Sequence, residues 1–102
     1  MRLECYRKSY RSKDMSNKLT GGSSGYYRVN IENPTTAEEP YIAECNDIIE
    51  ALKMNYAEGN AFKGVWRSCA ARLGNGKPGT TALYEAEKVE FFGGRMKVIA
   101  SE

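Results

Sequence analysis

At 102 residues and 41% hydrophobic, the chain suffices for one domain with one modest core and is too apolar for wholesale disorder. Histidine is absent, which excludes a histidine-based triad, an imidazole general base and any histidine-containing zinc site. The formal charge of +2 conceals a split: Arg2, Arg7, Lys8, Arg11, Lys13 and Lys18 against Glu4 and Asp14 give residues 1–20 a net +4 and leave −2 for the rest.

Taken in order, residues 1–25 read as a basic leader closed by the linker Gly21-Gly22-Ser23-Ser24-Gly25, and residues 26–102 as a single helical domain. The leader can be an arm for nucleic acid or an acidic partner, and equally a solvated tail. It lacks the apolar core of a secretion signal, and no run in the chain approaches a membrane span, so the expected location is the cytoplasm. The three cysteines are widely separated and none forms a CxxC pair, so no metal is assigned. Cys45 and Cys69 fall on apolar helix faces and read as buried reduced thiols, with Cys5 the exposed one.

Tyr27, Val29 and Ile31 alternate with Tyr26, Arg28 and Asn30, which predicts a half-buried strand over about 26–32, closed by Asn33-Pro34. A lone strand leaves its backbone unsatisfied, so the Leu3 region or a neighbouring subunit is the expected partner. Thr35 with Glu38 and Thr36 with Glu39 form two overlapping capping boxes, consistent with a short helical turn. Pro40 suits the first position of a helix over about 40–54, with Cys45, Ile48, Ile49 and Leu52 on one face.

Gly59-Asn60 is expected to open a second helix over about 60–73. Phe62, Val65, Trp66, Cys69 and Leu73 share one face, predicted to be core, while Asn60, Lys63 and Arg67 share the solvent-facing stripe. Gly74 to Gly79 stops this helix, and Thr80 or Thr81 caps a third over about 81–96. That helix presents Ala82, Ala86, Val89, Phe92 or Gly93, and Met96 on one face and can pair Glu85 with Lys88. Gly93-Gly94 is costly within a helix, so either the helix ends there or another backbone comes close. The fold class is therefore mainly α: a three-helix core with a short N-terminal strand or hairpin, completed by oligomerisation.

The constellation with most chemistry is Asn60, Lys63 and Arg67. A helix start offers free N–H groups and partial positive charge, and two cations one and two turns on would hold a phosphate. The alternative is that Lys63 and Arg67 pair with Glu44, Asp47 and Glu50 of the preceding helix as ordinary surface ion pairs. The loop GNGKPGTT is not a P-loop, because Pro78 follows Lys77 where Ser or Thr is required. Glu44, Asp47, Glu85 and Glu90 could supply a general base or hold magnesium, or lie on solvated faces. Trp66 and Tyr84 could stack on a base, although Trp66 falls within the apolar face.

Glu44-Cys45-Asn46-Asp47-Ile48-Ile49-Glu50-Ala51-Leu52, then Gly59-Asn60-Ala61-Phe62-Lys63 and Trp66-Arg67, then EAEKVEFFGGR over 85–95, resemble a family of small bacteriophage proteins of uncharacterised function. Some of its members are described as phage nucleotide kinases. The resemblance spans about the last 60 residues and departs at Asn33-Pro34, where family members often carry His-Pro-x-His-Tyr. It implies a phage-encoded helical homo-oligomer in the host cytoplasm with a nucleotide-type ligand, and by matching position Asn60, Lys63, Arg67, Glu85 and Lys88 as ligand-binding residues.

The expectation on these grounds is a nucleotide-binding protein, one that could sequester a (cyclic) nucleotide signal of anti-phage defence. One alternative is a nucleoside monophosphate kinase, the only reading that implies a cofactor, magnesium. The other is a protein-binding inhibitor of a host defence complex, adding a strand along Tyr26 to Ile31. Catalytic residues are not assigned.

Overall fold

A computed structural model describes residues 24–102. The expectations for the leader and linker up to Ser23, including the exposed Cys5, lie outside those residues. A 3-10 turn at Gly25–Tyr27 leads into strand β1 (Arg28–Ile31), which pairs antiparallel with β2 (Tyr41–Glu44). Three helices follow: α1 (Cys45–Ala51), α2 (Tyr56–Arg72) and α3 (Ala82–Ala100). The chain is thus mainly helical, with a short hairpin ahead of three helices.

The Leu3 region, one expected partner of β1, lies outside the described residues. The hairpin supplies a partner that the sequence did not suggest: Tyr41–Glu44, with Val29 opposite Ala43 and Asn30 opposite Ile42. Those four residues belong to the stretch expected to start a helix at Pro40. Tyr41 and Ile42 favour a pleated strand, and Pro40 at its head forfeits no ladder hydrogen bond, so pairing wins over one more helical turn. The capping boxes at Thr35 and Thr36 form no helical turn; residues 35–39 are bends. Helix α1 is accordingly short and ends in a Schellman motif: Lys53 takes the left-handed position at φ 55°, and the Lys53 and Met54 amides donate to the carbonyls of Glu50 and Ile49.

Helix α2 starts four residues before the expected Gly59-Asn60. Asn55 caps it with a complete capping box: its side chain accepts from the Glu58 amide at 2.8 Å, and the Glu58 carboxylate accepts from the Asn55 amide at 3.0 Å. It ends as expected at Gly74, whose φ of 84° closes a second Schellman motif through Ala71 and Ala70. Gly76 then presses on Ala71 so closely that a Cβ would lie 2.8 Å from the alanine methyl.

Thr81 caps α3 by accepting from the Tyr84 amide. The helix runs through Gly93-Gly94 to Ala100 rather than ending near Met96. It lies antiparallel to α2, since Arg67 meets Glu85, Gly64 meets Val89 and Tyr56 meets Phe92 in that order. The approach is close at Gly64, where a Cβ would sit 2.8 Å from a Val89 methyl. Since Tyr56 begins α2, the residues after Phe92 carry α3 roughly two turns past it. Among the described residues, the buried apolar side chains are Cys45, Ala57 and Phe92. No helix of the described residues is long and apolar enough to cross a membrane.

Candidate functional site

The two faces of α2 are used in the opposite sense to their hydropathy. The stripe that includes Arg67 turns inward onto α3. Arg67 Nε and Nη2 donate to the two Glu85 oxygens at 2.9 and 2.8 Å, and Nη1 donates to the Tyr27 hydroxyl at 2.8 Å. Glu85 is 2% exposed and Arg67 6%. The hydrogen bonds from Arg67 hold the Glu85 carboxyl below the usual carboxylate range, against the opposing pull of burial. The same bonds, with the Tyr27 hydroxyl, raise the guanidinium, which stays charged throughout. A planar fork gripping a carboxylate at both ends is what a buried ion pair needs to offset its desolvation.

This geometry differs from the solvent-facing stripe expected of Asn60, Lys63 and Arg67. Asn60 lies one turn inside α2, its side-chain amide donating back to the Tyr56 carbonyl at 2.8 Å, so it does not open the helix. Arg67 is turned inward, and its partner is Glu85 of α3 rather than Glu44, Asp47 or Glu50. Lys63 is half-buried, its ammonium 5.6 Å from the centre of the Tyr27 ring. Lys88 does not pair with Glu85 but lies over the Tyr84 and Phe92 rings at 5.9 and 5.6 Å. Of the five residues expected to bind ligand, the structure joins Arg67 to Glu85, sets Lys63 on the Tyr27 ring whose hydroxyl Arg67 also reaches, and leaves Asn60 and Lys88 in separate settings. Among the described residues, no group of three or more His, Cys, Asp or Glu is placed to hold a metal ion.

The face expected to be core is open instead. Phe62, Val65, Trp66, Cys69 and Leu73 form one wall of a groove of roughly 400 Å³, and the 3-10 turn and β1 form the other, through Tyr26, Arg28, Val29 and Asn30. Val65 stays 50% exposed and Leu73 78%. That Arg28, Val29 and Asn30 all line the groove is informative: successive strand side chains point to opposite faces, so three in a row places the groove along the edge of β1. Among the described residues the sheet has two strands, so this edge has no strand beside it. Trp66 Nε1 donates to the Tyr26 carbonyl at 2.9 Å and Asn75 to the Gly25 carbonyl at 3.3 Å, fixing the head of the wall against α2.

The sequence reading foresaw the alternation of β1 and the apolar stripe of α2 but did not set them as two walls of one cleft. Arg28, Asn30 and Asn75 carry no signal for that role in hydropathy. Cys69, on the groove, and Cys45, in the core, are both free thiols. Burial pushes the Cys45 thiol up to about 11, against the opposing charges of Lys63 and Arg67, so it stays protonated and unreactive at neutral pH. Comparison with protein-family models, curated proteins and solved structures returns no match.

Proposed function

We propose that this chain is a protein-binding module that takes an extended segment of a partner protein along the open edge of β1. The observation that carries this reading is the placement of an apolar helix stripe beside a strand edge that has no neighbouring strand among the described residues. A peptide added there gains main-chain hydrogen bonds from β1 and drops alternate side chains onto Phe62, Trp66 and Leu73. The α2 wall spans about 11 residues from Phe62 to Leu73, or roughly 16 Å, enough for about five extended residues. The apolar side chains along this wall favour a segment with apolar residues in alternation.

Trp66 is the sole tryptophan, so its emission reports occupancy directly. Ten-residue peptides alternating valine with threonine and aspartate should shift Trp66 emission and perturb the amide resonances of Val29 to Ile31, and twins with a central proline should do neither. Val65→Glu should abolish the response while leaving the far-ultraviolet circular dichroism unchanged. If those peptides leave Trp66 untouched while nucleotides raise the melting temperature, the nucleotide-binding reading drawn from Lys63 and its neighbours takes its place.

A further inference from the structure

A second surface, separate from the groove, lies on the outer side of α3. Tyr84, Phe91 and Val98 recur every seven residues and so fall on one stripe, turned away from the Glu85, Val89 and Phe92 face that packs on α2. All three are exposed, Phe91 at 61%. Gly94 lies beside this stripe, between Phe91 and Val98, and a Cβ built on Gly93 or Gly94 would meet nothing within 4 Å. Two consecutive glycines inside a 19-residue helix cost about 1 kcal/mol each relative to alanine, and nothing among the described residues packs close enough to account for them.

The charges on α3 are ordered along its length. Glu87 and Glu90 stand exposed in the first half and Arg95 and Lys97 in the second, none of them in an ion pair among the described residues. An antiparallel pairing of two such helices sets each acidic half against the other's basic half, whereas a parallel pairing would stack like on like. Antiparallel pairing also opposes the two helix dipoles favourably.

From these observations we infer that α3 is the contact between two copies of this chain, crossing antiparallel near Gly93-Gly94. The Phe91 ring of each copy fills the gap at Gly94 of the other, and Glu90 faces Lys97 across the seam, twice by symmetry. The pairing supplies the apolar burial that a described core of Cys45, Ala57 and Phe92 provides only sparingly. It leaves the groove on α2 uncovered.

Sedimentation of the full chain over a range of concentrations tests this. The wild type should run as a dimer, twice its 11.4 kDa, and Lys97→Glu, which breaks no side-chain hydrogen bond or ion pair among the described residues, should run as a monomer with unchanged circular dichroism. Adding Glu90→Lys to Lys97→Glu should restore the dimer, because the pair is exchanged across the two-fold; in a parallel dimer, where each residue meets its own copy, the single variant would not separate the chains in the first place. A monomeric wild type at 100 µM, on the order of a weak interface's dissociation constant, would overturn the inference, as would a Phe91→Glu variant that remains dimeric. The Trp66 peptide response of the monomeric variant should match the wild type's, so failure here is distinguishable from failure of the groove.

Discussion

The α2–α3 interface and the α2–β1 groove lie on the same helix and follow opposite rules. The first is narrow, closed by Gly64 on Val89, and centred on a buried Arg67–Glu85 pair. The second is wide, apolar and open. Hydropathy alone would place the apolar stripe inside and the charged one outside. What decides is residue size as much as polarity: Ala57, Ala61 and Gly64 let α3 approach where Arg67 can reach a carboxylate, while the bulk of Phe62, Val65 and Trp66 keeps β1 at a distance. A helix face can therefore be buried because it is small and fully paired, and left open although it is greasy.

The sharpest way to break this contrast is to remove one partner of the ion pair. Arg67→Ala or Glu85→Ala should cost about 3–5 kcal/mol by urea denaturation, since each strands a buried charge, while the double variant Arg67→Met with Glu85→Leu should recover most of that. The pair also sets an acid limit. The folded Glu85 carboxyl titrates below its unfolded range near 4.3, so its contribution is present above that pH and lost as pH falls through the lower folded value. Acid titration of the melting temperature should show this loss, and Glu85→Gln should remove it.

Closing the narrow side by force comes next. Gly64→Leu should destabilise by about 1–3 kcal/mol, because the added side chain has to displace Val89 and the α3 backbone. Lys53→Gly should stabilise by up to about 1 kcal/mol, relieving a left-handed position that lysine holds at φ 55°. Smallest of all, Val65→Ser on the open wall should change stability by no more than about 0.5 kcal/mol, as expected of a side chain whose environment is already solvent. Were it instead to cost as much as Gly64→Leu, the open wall would be core after all.

Much of the fold was legible in the residues. The third helix with its Thr81 cap, the stop at Gly74 and the alternation of β1 all follow from local chemistry. The boundaries that failed did so where a distant partner outbid a local signal: Pro40 could have opened a helix, but β1 needed a strand and took Tyr41–Glu44. Asn55 and Glu58 did spell a capping box, hidden within a stretch read as a connection. At the site, spacing correctly grouped Phe62 with Trp66, and Lys63 with Arg67, yet spacing cannot say which group faces inward. The small residues Ala57, Ala61 and Gly64, recurring at four and three, were the available hint. Nothing local foretold Glu85 as the partner of Arg67, since 18 residues and a loop separate them.

The phenol of Tyr27 ties these two halves of the molecule into one device. Its oxygen receives the third arm of the guanidinium that already clasps Glu85, and its own residue ends the turn that begins the groove's far wall. The gauge of the cleft is therefore set from inside, by a side chain no visiting peptide touches. Tyr27→Phe would leave the Glu85 clasp in place but strip Nη1 of its acceptor, so the wall would hang on Trp66 and Asn75 alone and the fold would lose about 1–3 kcal/mol.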